Sequence, residues 1–235
     1  MNSARFLEWD TQFFGVRIAS LEAENIDEQA WGAALEYCRE QRIECLYVLA
    51  SGSADELRAR TAGALPTDRR VTLQLGRRAA PASGTRMRRA LEADIPTLRA
   101  LAARSHTDSR FYADPHFARE RCDELYATWI QKSVCGWADA VFASGPVGAP
   151  LGYLSFHVRS DRAEIGLVAV AEAARGQGLG RELVEAAILR AAPLGLPLQV
   201  VTQGRNAAAS ALYEKCGFGV LRVQSWFHLW FDKQS

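Results

Sequence analysis

The chain has almost no net charge: 28 lysines and arginines face 27 acids over 235 residues, leaving +1 at pH 7. This balance lacks the basic field that marks nucleic-acid binders. No stretch approaches the roughly 20 apolar residues of a membrane span, so neither nucleic acid nor membrane is an expected partner. The five cysteines, Cys38, Cys45, Cys122, Cys135 and Cys216, are odd in number, scattered and nowhere spaced as Cys-x-x-Cys. Both a disulfide framework and a zinc site are thereby disfavoured, and no metal is expected. His106, His116, His157 and His228 form no close pair or triad pattern, and no Gly-x-Ser-x-Gly elbow occurs, which argues against a hydrolase. The opening "MNSARFLEWD" has acids where a signal peptide needs an apolar run, so a cytoplasmic location is expected.

What is present is an ordinary globular composition, 49% hydrophobic and 23% charged, enough for one large or two small domains. Gly, Pro, Ala and Ser cluster without apolar periodicity in "GRRAAPASGT" (76–85), the expected junction between a small α/β domain (1–80) and a larger one (85–235). In the first part, 44–50 and 71–76 read as strands. Residues 27–41 read as a helix with Ala30, Ala34, Tyr37 and Cys38 on one side.

In the second part, 87–105 passes from a short strand to a helix, with Asp94 placed to cap it and Pro96 in its first turn. A second helix is expected over 115–134. "ADAVFAS" and "PLGYLSFHV" read as a hairpin around "GPVGAP", and "RAEIGLVAV" (162–170) as a strand. Period-two alternation would put Glu164, Gly166, Val168 and Val170 on one face of that strand. It runs straight into "ARGQGLGRELVEAAI" (174–188), a glycine turn that opens a helix.

Such a turn suits a phosphate, because orphan amides and the helix dipole favour anions and glycines let them approach. A nucleoside-triphosphate loop would need Lys and Ser or Thr after its last glycine, where this chain has Arg181 and Glu182. A dinucleotide fingerprint needs Gly-x-Gly-x-x-Gly and an acid some 20 residues on. Here the glycines are 176, 178 and 180, and the next strand, "PLQVVTQ", ends in Gln203. The remaining reading is Arg-x-x-Gly-x-Gly, formed by Arg175, Gly178 and Gly180, facing a diphosphate.

"LVAVAEAARGQGLGRELVEAA" resembles the acetyl-CoA-binding segment of the GNAT acyltransferase superfamily, and "QGRNAAASALYEKCGF" (203–218) resembles the segment that follows it there. The resemblance covers roughly residues 86–230. It implies an α/β (α+β) GNAT fold, a mixed central sheet flanked by helices, and an acyl-CoA-dependent N-acyltransferase with acetyl-CoA as cosubstrate. The coenzyme-binding residues it implies are Val168, Ala169, Val170, Arg175, Gly176, Gln177, Gly178, Leu179, Gly180, Arg181, Asn206 and Tyr213. A backbone amide near Val168–Val170 would stabilise the oxyanion, and Tyr213 would protonate the departing thiolate as general acid. Asn206 equally suits a helix cap, and Tyr213 equally suits the core beside Ala209, Leu212 and Cys216. Glu164 matches a glutamate that some members use as general base, though a surface acid at a strand start reads the same way.

"EWDTQFFG", "SRFYADPHF" and "ELYATWIQKSV" are similar to stretches of GNAT members that acetylate nucleotide-linked amino sugars such as a dTDP-4-amino-4,6-dideoxyhexose. That likeness implies a small-molecule amine, a sugar nucleotide, as acceptor. Arg110, Phe111 and Tyr112 would line its site, holding diphosphate and base, or the two aromatics would merely pin a loop. Acetylation of a protein or peptide amine, and a non-catalytic acyl-CoA-binding module, are the rival functions. A homodimer is among the expected assemblies.

Overall fold

The computed structural model describes residues 4–76 and 87–231. The chain begins with β1 (Arg5–Phe6), α1 (Glu8–Phe14), β2 (Ile18–Glu22), α2 (Glu28–Glu40), β3 (Cys45–Ala50), α3 (Ser53–Thr61) and β4 (Leu65–Leu75). It continues with β5 (Arg88–Arg89), α4 (Ile95–Ser105), the single turn α5 (Arg110–Ala113) and α6 (Arg119–Lys132). The hairpin β6 (Ala140–Ser144) and β7 (Gly152–Val158) follows, then β8 (Ala163–Val170), α7 (Leu179–Ala191), β9 (Leu198–Gln203), α8 (Ala207–Lys215) and β10 (Phe218–Trp230).

Among the described residues the ten strands form one open mixed sheet in the order β1-β2-β3-β10-β4-β9-β8-β7-β6-β5. Within it β2–β3 and β8–β9 pair parallel, and the other neighbours pair antiparallel. β10 lies between β3 and β4, bonded to Cys45–Ala50 on one side and to Leu65–Leu75 on the other. The two parts expected from the sequence therefore share one sheet; residues 77–85 of the expected junction lie outside the described residues.

Alternation along the strands feeds opposite faces. Leu46 and Val48 pack with α2, whereas Cys45 and Tyr47 join Leu98, Phe111 and Leu125 beneath α4–α6. Under α7, Leu183, Val184 and Ala187 meet Leu154, Phe156 and Ile165. α2 starts where the sequence indicates: the Asp27 carboxylate accepts from the Ala30 amide at 2.7 Å, and Ala30, Trp31, Ala34 and Cys38 are buried at helical spacing.

Three expectations need correction. Asp94 does not cap α4. Its carboxylate accepts from the Leu91 amide (2.8 Å), the Gly148 amide (2.8 Å) and both terminal nitrogens of Arg88 (2.7 and 2.9 Å), tying the turn before α4 to the β6–β7 hairpin. The helix expected over 115–134 begins only at Arg119 and stops where Gly136, at φ 106°, breaks the following π-turn. The even face of β8 also fails to hold, for a reason that shapes the site.

Candidate functional site

β8 is bulged. Ile165 faces Phe156 and Val168 faces Leu154, so Gly166 and Leu167 both stand opposite Ser155, whose hydroxyl accepts from the Leu167 amide at 2.8 Å. The extra residue reverses the alternation. Glu164 stays on the α4–α6 face, while Val168 and Val170 turn to the face that packs on α7. Beyond the bulge β8 also parts from β9, since the two pair only at residues 163–165 and 198–200. The backbone of 168–170 thus borders a gap that opens towards the glycine turn.

The turn has the geometry its composition suggests. Gly176 and Gly178 sit at φ 75° and 83°, the left-handed region that glycine enters freely, and α7 starts at Leu179. A Cβ built at either glycine would meet nothing within 4 Å, so both flank open space, whereas one at Gly180 would press on Leu212 of α8. The Arg175 side chain donates back to the Val170 carbonyl (3.2 Å), Gln177 donates to the Ala173 carbonyl (3.2 Å), and Arg181 pairs with Glu185 (2.7 Å). These residues lie together at the end of the gap, and open amides at a helix start suit a diphosphate.

Asn206 caps α8, accepting from the Ala209 amide at 3.0 Å, and also lines a groove of about 790 Å³ that runs across the sheet from the gap. Tyr213 is buried against Phe218, yet its side chain borders the same groove. Burial raises its phenol well above the ordinary value, so the hydroxyl keeps its proton throughout the physiological range.

Glu164 also lines the groove. Burial pushes its carboxyl up, but hydrogen bonds from Arg162 (2.6 Å) and Arg159 (3.2 Å) outweigh this and leave it below the usual value. A carboxylate so held is a weak proton acceptor near pH 7. Its bonds suit it to fixing the two arginines.

Arg110, Phe111 and Tyr112 are not among the groove-lining residues. Phe111 is 2% exposed in the core, and the Tyr112 hydroxyl donates to Asp123 at 2.6 Å. The Arg110 guanidinium lies 4.1–4.4 Å from the ring centres of Tyr47, Phe111 and Trp226 and bonds His228 Nε2 at 3.0 Å. His228 Nδ1 reaches Asp114 at 2.6 Å, and the same carboxylate holds His116 and Trp230. Two histidines that look isolated in the sequence therefore share one aspartate. Burial lowers His228 to about 4, so it stays neutral and accepts from Arg110.

What the sequence reading missed is the other wall. Among the described residues, Arg70 of β4, Arg222 of β10, and Arg159 and Arg162 at the β7–β8 turn line the groove with two carboxylates, Asp161 and Glu164. Arg70 is half-buried and donates to the neutral Gln224 (3.0 Å) and Thr72 (3.4 Å). His157 lines the floor. No local motif announces these residues, because they come from separate strands.

Comparison with known proteins places this geometry. Residues 97–218 match the model of the Acetyltransferase (GNAT) family, just over half of the chain. The chain is 35% identical over 143 residues to the dTDP-fucosamine acetyltransferase of Escherichia coli O6:H1, a match covering 59% of this chain and 61% of that protein. It is 29% identical over 145 residues to the spore coat polysaccharide biosynthesis protein SpsD of Bacillus subtilis, covering 60% of this chain and 50% of the other. The matches thus span between half and two thirds of these curated relatives. A GNAT-family acetyltransferase structure from Novosphingobium aromaticivorans shares the fold at TM-score 0.58 and 17% identity, covering 90% of this chain and 82% of its own. The family match takes in β8, the glycine turn and α8: the chain belongs to the GNAT acetyltransferase family.

Proposed function

We propose that the protein transfers the acetyl group of acetyl-CoA to the amine of a nucleotide-linked amino sugar, by direct attack in a ternary complex. In this reading the diphosphate of the coenzyme rests on the amides of 176–181, and its pantetheine arm runs along the backbone of 168–170 in the gap. The oxyanion formed at the thioester carbonyl is met by an amide of that strand, and Tyr213 gives its proton to the leaving sulfur.

The observation that carries the acceptor is the arginine wall. A groove with Arg70, Arg159, Arg162 and Arg222 against Asp161 and Glu164 keeps a surplus of positive charge. Guanidinium forks suit the oxygens of a diphosphate. A peptide amine or a simple polyamine would favour an acidic groove, so a protein-acetylating role fits this wall poorly. The names of the two curated relatives, one acting on a dTDP-linked sugar and one in polysaccharide biosynthesis, point the same way.

The test is a thiol-release assay with acetyl-CoA and three acceptor sets: nucleotide-linked amino sugars, the same sugars without the nucleotide, and peptide N-termini. Expected is a kcat/KM at least about 100-fold higher for the nucleotide-linked set, the order of one or two lost charge-assisted bonds. Equal turnover of the free sugars, or preference for peptides, would overturn the acceptor assignment.

A further inference from the structure

An acetyl transfer to nitrogen needs a proton acceptor, and Glu164, held by two arginines, fills that role poorly. The four histidines differ sharply in availability. His106 bonds the Tyr153 hydroxyl at 2.9 Å and stacks on Tyr126, while His116 and His228 are both tied to Asp114. His157 is the exception. It is 6% exposed, lies directly across from Glu164 on β7, and among the described residues its buried Nδ1 has no hydrogen-bond partner.

The bulge explains what the ring faces. A Cβ built at Gly166 would lie 2.9 Å from His157 Nε2 and 2.6 Å from Ser155 Oγ, although the φ of Gly166 does not itself call for glycine. The missing side chain leaves the Nε2 edge of the imidazole over an exposed glycine in the groove floor, between the arginine wall and the gap.

From this geometry we infer that His157 is the proton acceptor of the reaction, admitted to the acceptor nitrogen by the glycine at 166. The inference rests on the acyl-transfer reading but not on the identity of the acceptor. As the nitrogen lone pair forms the C–N bond, one N–H proton passes to His157. As the C–S bond breaks, its electron pair stays on sulfur, which takes one proton from Tyr213. The proton on His157 returns to the Tyr213 phenolate through water, so amine and thioester become amide and thiol with both side chains restored.

The ring is suited to this at neutral pH. Burial lowers its pKa below the ordinary 6.5 and Arg159 adds to the effect, while Glu164, Asp139 and the backbone of Trp137 oppose it. The free base therefore prevails at pH 7, and rate should fall as acid protonates it.

The experiment compares wild type with His157→Gln, His157→Ala and Gly166→Ala, using whichever amine the wild type acetylates. Expected for the histidine variants is a loss of about 10²- to 10⁴-fold in kcat, an unchanged KM for acetyl-CoA, and disappearance of the acid limb of the kcat/KM profile. Free imidazole should restore part of the activity of His157→Ala. Gly166→Ala, which pushes the ring aside, should lower kcat with the limb shifted. In the wild type, the limb should coincide with the His157 pKa read by NMR. Variant activity within about threefold of wild type, a retained limb, or an imidazole that titrates away from it would each overturn the inference. A wild type that acetylates only amines lacking a nucleotide would sink the acceptor reading and leave this test standing; one that acetylates nothing would sink both.

Discussion

The two ends of β8 work by different means. At its C-terminal end the side proposed for the coenzyme is formed by consecutive residues, 168 to 181, and offers backbone: a turn with left-handed Gly176 and Gly178 and a strand freed from β9. At its N-terminal end the side proposed for the acceptor is lined by side chains from β4, β7, β8, β9 and β10, from the β7–β8 turn, and from the end of α4 and from α6, gathered by sheet order. Backbone recognition is set by local conformation and constrains few side chains. Side-chain recognition depends on register across five strands, so one family can keep the first end while changing acceptors at the second.

The largest expected effect lies where the two ends meet. Tyr213→Phe keeps the ring against Phe218 but removes the proton, so kcat should fall by about 10²- to 10⁴-fold while coenzyme affinity and melting temperature hold. A Phe variant that melts early with kcat near wild type would assign the hydroxyl to the core instead.

Next comes the acceptor end alone. Arg70→Gln and Arg222→Gln should each raise the KM for a nucleotide-linked acceptor by about 10- to 100-fold, the value of one charge-assisted bond. The KM for acetyl-CoA should not move. Steady-state kinetics on both substrates checks this, and equal effects on the two would erase the division between the ends.

The coenzyme end calls for a gentler probe than a β-branched residue, because Gly178 at φ 83° would strain under valine. Gly178→Asn tolerates that conformation and places its Cβ in open space. Its expected effect is a loss of about tenfold in acetyl-CoA affinity by calorimetry, from one displaced amide bond, with the fold intact. Unchanged affinity would remove the diphosphate from this turn.

The smallest effect concerns Asp94, which serves neither end. Its bond to Arg88, with support from the Leu91 and Gly148 amides, outweighs its burial and brings it down to about 2. A carboxyl depressed in the folded state stabilises above its unfolded value near 4 and loses that contribution as pH falls through about 2. Arg88 is 26% exposed, which screens the pair. Asp94→Asn should therefore cost about 1–2 kcal/mol at pH 6, a gap that closes towards pH 2 in urea titrations. A gap constant with pH would mean that the carboxylate's charge contributes nothing.

Much was legible because its cause is local. The Asp27 cap, the apolar stripe of α2, the β6–β7 hairpin, the left-handed glycines and the Asn206 cap each follow from a few neighbouring residues. Asp94 misled because a cap and an ion pair draw on the same side chain, and Arg88 reached it first. Arg110 and the aromatics beside it suit either a ligand site or a pinned loop by sequence, and what separates the two is distant in the chain: Tyr47, Trp226 and His228 pack on the half-buried Arg110, and Phe111 is buried.

The sequence by itself determined the glycine turn, the start of α7 and the family, since a turn's conformation and a helix's start depend on residues within a few positions of one another. Only the tertiary structure decided the groove at the other end of β8. Inserting β10 between β3 and β4 brings Arg222 beside the groove that Arg70 lines, and two residues of β8 set against one of β7 turn Val168 away from Glu164 and open the floor over Gly166. Hydrogen-bond register between strands far apart in the chain fixes those relations, and no local pattern carries it.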